Sequence, residues 1–245
     1  MKKILCAVAV LMTLCVCISA QGNAAKADKN QRLQLNAGYG FTHVSWSDPM
    51  WQDAEILPIV DEVLPSISFG VKYTLQEVFG ADDFFVSANA RYVLFDNEYP
   101  VSRLMTGWDG PLMYNEIIYK PEFSLYIINA GIGKKISITN VDFELNVSAG
   151  YLIVNTCYEL PYQQPIEGTF SGSSLGFSIY GGVAYAVVPK LAVYAKVMYD
   201  RYTSPESWDI EYANGAPSLY EYSRESFIDV SAEGIGYEFG ISFGL

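Results

Sequence analysis

The most constraining feature of this sequence is the strict alternation of its C-terminal segment, Gly234–Leu245. Every second residue there is large and apolar, and the residues between are glycine or polar. The apolar positions are Ile235, Tyr237, Phe239, Ile241, Phe243 and Leu245. A period of two is that of an extended strand, whose successive side chains point to opposite faces of a sheet. The segment is therefore predicted to form a β-strand with one apolar, aromatic-rich face.

Seven segments upstream alternate in the same way, which predicts about eight strands in all. Their approximate ranges are 31–44, 66–75, 84–95, 119–133, 141–153, 174–187 and 191–200, and the last strand begins near Phe227. In the fourth segment the alternation changes phase at Ile127-Ile128. This change predicts a β-bulge, in which one extra residue shifts the side chains of the strand to opposite faces.

The N-terminal segment has the order of a secretory signal peptide. A charged start, Met1–Lys3, precedes an apolar run, Ile4–Ile18, and small residues follow it. This order predicts removal of residues 1–20 by cleavage after Ala20, with cleavage after Ala27 as the second choice. The apolar run is too short for a comfortable membrane span.

Cysteine usage leaves no disulfide in the mature chain. Cys6, Cys15 and Cys17 lie in the signal segment, and only Cys157 remains after its removal. Acylation of Cys15 or Cys17, which would make the chain a lipoprotein, is an alternative. The sequence gives no reason to expect a metal site or a cofactor.

Composition and loop lengths together favour a membrane barrel. The chain is 51% hydrophobic and 15% aromatic, yet beyond the signal no stretch approaches the roughly 20 apolar residues of a transmembrane helix. A secreted chain of this kind is either a soluble β-sandwich or a transmembrane barrel. Tight turns alternate with long connections, as in bacterial outer-membrane barrels. The long connections span about 45–65, 96–118, 155–172 and 202–226.

We therefore predict an all-β fold, a closed antiparallel transmembrane β-barrel of about eight strands, with ten strands as the alternative. The long loops would be extracellular and the short turns periplasmic. The predicted organisation is a signal peptide at 1–20, a short periplasmic segment at 21–30 and the barrel at 31–245. The predicted location is the outer membrane of a Gram-negative type envelope, with the loops exposed at the cell surface.

Charged residues of both signs share the inward phase of the predicted strands. The set predicted to form a lumen network is Lys72, Arg91, Glu144, Lys196 and Glu238. Such residues could line an ion-selective pore or fill the lumen as a paired network. An eight-stranded interior is just wide enough for side chains, which favours the filled lumen. Strand counting places Lys196 and Glu238 at similar height on adjacent antiparallel strands, so these two are predicted to pair.

All four tryptophans, Trp46, Trp51, Trp108 and Trp208, fall in or beside the long connections. We predict that they are aromatic side chains of the surface loops. His43 is the only histidine and lies at the end of the first predicted strand. Its two interpretations are a structural histidine at the rim of the barrel and a candidate general base.

The C-terminal half resembles the omptins, outer-membrane aspartate/histidine proteases with ten strands. The resemblance is carried by Lys120-Pro121, Asp142–Leu145, Val188–Tyr194, Ser218–Tyr220 and Gly234–Phe239, which follow one another in the same order of strands, turns and loops. The rest of the chain resembles the small eight-stranded barrels of the OmpX, OmpW and opacity type. Both resemblances imply an outer-membrane barrel.

Omptin catalysis implies an Asp-Asp pair on one rim loop facing an Asp-His pair on another. The segment where the Asp-His pair would fall, Thr156–Glu159, has no histidine, and Asp109 is the only acidic residue of the other segment, Met105–Asp109. Because a general base is missing, the omptin activity does not carry over. We therefore expect no catalytic residues and no enzymatic activity.

The expected role is the display of about four long surface loops that bind host or environmental partners. A narrow porin-like channel or solute route is the first alternative, and a diverged omptin-like hydrolase is the second. The net charge of −12, without a Lys/Arg cluster, disfavours nucleic acid and anionic lipid headgroups as partners. Expected partners are outer-membrane lipid, the barrel-assembly machinery acting on the C-terminal strand, and an extracellular ligand of the loops. The chain is expected to be a monomer.

Overall fold

The computed structural model of the chain describes residues 33–47, 60–75, 84–95, 99–105, 113–119, 123–138, 140–160, 166–188, 190–212 and 229–245. The segments 1–20 and 21–30 lie outside these residues, so the signal peptide and the periplasmic segment stay predictions. Among the described residues, no helix is long and apolar enough to cross a membrane.

Eleven strands account for nearly all of the described residues. They are β1 (Leu33–Ser47), β2 (Val60–Leu75), β3 (Phe84–Val93), β4 (Tyr99–Met105), β5 (Met113–Tyr119), β6 (Phe123–Ile138), β7 (Val141–Leu160), β8 (Ile166–Val188), β9 (Leu191–Tyr202), β10 (Trp208–Tyr212) and β11 (Asp229–Gly244).

Eight of these strands close into an antiparallel barrel, in the order β1, β2, β3, β6, β7, β8, β9, β11 and back to β1. The prediction of a closed eight-stranded barrel is confirmed. The hairpin β4–β5 stands between β3 and β6 in the chain and pairs only with itself among the described strands, while β10 pairs with β8 from Trp208↔Gly172 to Tyr212↔Gly168. We call the end where β6 turns into β7 and β8 into β9 the turn end. The opposite end, toward which β7 and β8 extend, is the loop end.

The outer surface of the barrel carries a belt of large apolar side chains. In β7 the belt runs from Phe143 to Tyr151, and along β11 from Ile235 to Leu245, the residue after the strand, with every second side chain exposed. These lengths match the roughly 9–11 residues of a tilted transmembrane strand. An apolar belt on all sides of a closed sheet would be unstable in water and is stable in lipid.

The polarity of the barrel inverts toward the loop end. There the outward positions become polar or charged, as at His43, Asp61, Arg201 and Glu233. The inward positions become apolar and form one buried cluster, which we call the cap cluster. Its members are Val44, Trp46, Leu64, Val93, Phe123, Leu125, Ile127, Leu152, Val154, Tyr202, Val230 and Ala232. This end of the barrel is therefore built like a water-soluble protein, with an apolar core and a polar surface.

The inversion shows why the predicted bulge at Ile127-Ile128 is wrong. β6 pairs without interruption, with Ile127 opposite Leu152 and Ile128 opposite Tyr151. Ile127 points into the cap cluster and Ile128 points outward to lipid. The apolar residues change face because the barrel passes from lipid to water, and the strand itself stays regular.

The strands are also longer than the alternation predicted. β2 begins at Val60, while β7 continues to Leu160 and β8 begins at Ile166. The predicted ends, near 66, 153 and 174, mark the loop-side edge of the apolar belt. Beyond that edge the outward residues are mostly polar or charged, as at Asp61, Asn155 and Ser173, so the pattern that identified the strands ends before the strands do.

Candidate functional site: a lumen filled by paired charges

The lumen at the level of the apolar belt contains buried ionic side chains that pair with one another. Lys72 contacts Glu144, Arg91 Nη1 lies 2.5 Å from Asp200 Oδ2, and Lys196 Nζ lies 2.9 Å from Glu238 Oε1. All six side chains are less than 10% exposed. A buried charge is costly unless it is paired and hydrogen-bonded, and each of these six charges has its counter-charge in contact.

Lys196 and Glu238 are direct partners in the register of β9 and β11, as strand counting predicted. The Tyr194 hydroxyl donates a second hydrogen bond to Glu238 Oε1 at 2.7 Å, and Lys196 Nζ lies 4.4 Å from the centre of the Tyr194 ring. Gly38 makes room for this group, because a Cβ there would lie 2.6 Å from the Tyr194 hydroxyl. The pair is thus enclosed by side chains on several sides.

Arg91 and Asp200 join β3 to β9, which are not neighbours in the barrel, so this ion pair crosses the lumen. Ser178 Oγ donates to Asp200 Oδ1 at 2.5 Å, and Arg91 Nη2 lies 2.9 Å from Met198 Sδ. Tyr202, two residues after Asp200, belongs to the cap cluster. The pair therefore lies where the polar interior meets the apolar one.

Asp200 is absent from the predicted lumen network, although it belongs there. It lies four residues after Lys196 and so shares its inward phase, which was the available signal. Lys72 and Glu144, both predicted, also pair across the lumen, between β2 and β7. A weaker contact of 3.8 Å joins Lys135 to Asp142 near the turn end.

The tryptophans do not all lie where the sequence predicted. Trp46 is wrong as a surface-loop side chain, because it is 1% exposed and packs edge-on against Phe123 in the cap cluster. Trp208 is half-buried and packs against the same cluster. Trp51 and Trp108 lie outside the described residues. The alternation predicts that the strands end at the loop-side edge of the apolar belt, so it places the apolar residues beyond that edge in loops.

His43 bridges three strands at the loop-side edge of the belt. Its Nδ1 lies 2.5 Å from the backbone oxygen of Glu233 in β11, and its Nε2 lies 3.2 Å from Asp61 Oδ1 in β2. The ring lies over Gly234, whose φ of 141° marks the irregularity where the β1–β11 register shifts. Both ring nitrogens lie beside oxygens of the neighbouring strands, so His43 links β1 to β2 and to β11.

Other residues considered for catalysis are beyond what the structure describes. Asp109 lies outside the described residues, and for residues 157–160 the backbone alone is described. Among the described residues there is no group of three or more His, Cys, Asp and Glu side chains that could hold a metal ion.

Solved structures share this architecture. A major outer membrane protein from Thermus thermophilus superimposes with a TM-score of 0.50 at 13% identity, over 88% of this chain and 99% of that one. The fold is that of an outer-membrane β-barrel. Neisserial surface protein A matches with a TM-score of 0.47 at 12% identity, over 86% of this chain and 96% of the other. The outer membrane protease OmpT from Escherichia coli matches with a TM-score of 0.47 at 9% identity, over 89% and 98%.

No protein-family model and no curated protein matches the sequence. At 13% identity the match to the Thermus thermophilus protein shows the fold and leaves the activity open. The features of this chain that bear on its function are therefore its lumen and its loop end.

Proposed function

We propose that the protein is an integral outer-membrane barrel that does not conduct, has no catalytic role and displays its loop end at the cell surface. The observation that carries this proposal is the filled lumen. Ion pairs occupy the interior at the level of the membrane belt, and the cap cluster occupies it beyond. A solute would have to separate both layers in order to pass.

The loop end supports the display role. β7 and β8 extend together to Leu160 and Ile166, and β10 adds a third strand to their sheet. The hairpin β4–β5 is a second structured element between β3 and β6. The cap cluster anchors this end from within, because Trp208 of β10 packs against it. Binding surfaces at this anchored loop end, a platform for the loops, would be held in place before a partner arrives, which lowers the entropic cost of binding.

The proposed partners follow from this location. Lipid would cover the apolar belt, and the barrel-assembly machinery would act on the C-terminal strand. The loops would bind an extracellular ligand, with nucleic acid excluded by the acidic charge of the chain. We further propose that the barrel is a monomer, because the belt and the closed lumen need no second chain.

The filled lumen predicts that the refolded protein gives no resolvable single-channel current in planar lipid bilayers. A porin of about 16 strands, which encloses a water-filled channel, is the positive control under the same conditions. Steady conductance events from the heat-modifiable, folded fraction would contradict the proposal and favour the porin-like alternative.

The proposed orientation predicts which engineered cysteines can be labelled on intact cells. With Cys157→Ser as background, Glu206→Cys at the loop end should react with a membrane-impermeant maleimide. Lys190→Cys at the turn end should react only after the cells are opened, and both positions are exposed in the structure. Labelling of Lys190→Cys on sealed cells would mean that the barrel is inverted. Recovery of the protein in the soluble periplasmic fraction would exclude a membrane location.

A further inference from the structure

The apolar belt contains a groove of about 680 Å³ on the outer face of β7, β8, β9 and β11. One row of the sheet explains its shape. Reading across the strands, Phe143 lies opposite Val183, Val183 opposite Ala195, and Ala195 opposite Phe239. Two phenylalanine rings therefore form the walls, and the two smaller side chains between them form the floor. Tyr185 and Val193 line the groove in the row nearer the turn end.

Gly181 lies on β8 one row nearer the loop end than the residues that line the groove, between Leu145 and Val197. A glycine inside a strand weakens it, and often marks a place where something approaches the backbone closely. Among the residues that the structure describes, no atom comes that close to Gly181, because a Cβ there would have no neighbour within 4 Å. The glycines of the lumen differ, since a Cβ at Gly38 or Gly240 would collide with Tyr194. The open space at Gly181 faces outward, toward the lipid.

A lysine lies at the turn-end mouth of the groove. Lys190 forms the turn between β8 and β9, the two strands that provide the floor, and it is exposed. Among the described residues no ion pair to it is found within 4.0 Å. From Lys190 to Ala195 the strand rises by about 3.3 Å per residue, or roughly 16 Å along its tilted path. For a strand tilted by about 40° the corresponding depth is roughly 12 Å, which lies within the roughly 15 Å of one hydrocarbon leaflet that an acyl chain spans.

We propose that this groove is a binding site for one phospholipid of the leaflet at the turn end. One acyl chain lies between Phe143 and Phe239 over Gly181 and Ala195, and the phosphate lies against Lys190. The apolar walls suit the chain, and the lysine at the interface matches the charge of the phosphate. The site goes beyond the display role, because it concerns the lipid-facing surface and is tested separately from the loops.

The test uses the full barrel, refolded in dodecyl maltoside and incubated with dioleoyl phosphatidylglycerol, with bound lipid counted by native mass spectrometry. The wild-type protein should retain one lipid per barrel. Ala195→Leu fills the floor and Gly181→Leu fills the open space beside it, and both should reduce retention at least about tenfold, the loss expected for two buried methylene contacts. Lys190→Gln should reduce it about fivefold, the effect expected of one lysine near a lipid headgroup.

The matched control is Ala130→Leu. Ala130 is also exposed in the belt, on β6 next to β7, and it pairs with Ala149, six residues nearer the loop end than Phe143 and outside the lining of the groove. It should retain lipid as the wild type does. Folding of every variant is checked by the gel shift of unboiled samples. Equal retention in folded Gly181→Leu, or equal loss in Ala130→Leu, would overturn the site. A wild-type dimer dissociated by Gly181→Leu would also overturn it, by assigning the groove to a second copy.

Discussion

Asp200→Asn is expected to destabilise the barrel by about 3–5 kcal/mol, the cost of breaking a buried ion pair from one side. The substitution preserves the shape of the side chain but leaves the Arg91 guanidinium without a carboxylate in contact. That guanidinium is 7% exposed, and its other contacts are neutral, with Met198 and Thr42. Urea unfolding in micelles, together with the temperature of the gel shift, measures the loss.

Two further variants determine whether burial is the cause. Glu233→Gln removes the partner of Arg201, the residue next to Asp200, but both of those side chains are about half exposed. Exposed pairs contribute little, so the loss should stay below about 1 kcal/mol. The double variant Arg91→Met/Asp200→Leu removes both charges and should recover most of the stability lost in the single variant.

Lys196→Met should have a smaller effect, about 1–3 kcal/mol. Glu238 keeps the hydrogen bond from Tyr194 when the lysine is removed, whereas Arg91 loses its only anionic contact in Asp200→Asn. If Asp200→Asn and Glu233→Gln lower the free energy of unfolding by the same small amount, the lumen must contain enough water to screen its charges. That result would argue against a filled interior and in favour of a conducting one.

The interior shows which parts of a barrel can be predicted from sequence. Lys196 and Glu238 are neighbours in the register, so counting residues from the ends of two adjacent strands was enough to pair them. Arg91 and Asp200 meet across the lumen from strands that are not neighbours. Alternation gives the face on which each side chain lies, but it carries no information on which strands face each other across the lumen.

The loop end could not be predicted because the solvent changes along the strand. Alternation identifies a membrane strand by its apolar outward face, and this rule holds through the belt, as at Phe143 and Leu145. At Leu152 and Val154 the apolar side chains face inward instead. A single rule applied along the chain therefore assigns a bulge at Ile127-Ile128 and places Trp46 in a loop.

Leu152→Ala is expected to cost about 2–5 kcal/mol, because it leaves a cavity in the cap cluster, which cannot be filled from outside. Leu152 is 0% exposed, whereas Leu145, seven residues earlier on the same strand, is 59% exposed in the belt. Leu145→Ala is the matched control, since it removes the same atoms from a surface where lipid or detergent fills the space. Its cost should be less than half that of Leu152→Ala by the same unfolding assay.

The comparison of the two leucines tests the inversion of polarity directly. If the cap cluster is the apolar core of a water-exposed platform, Leu152→Ala should also raise the proteolytic sensitivity of the loop end in intact cells, while Leu145→Ala should not. Loosening of that end follows because Leu152 and Val154 of β7 belong to the cluster, and because Trp208 of β10, the strand that pairs with β8, packs against it. Equal costs for the two substitutions would mean that both faces of β7 contact the same solvent, and the platform would then have no core of its own.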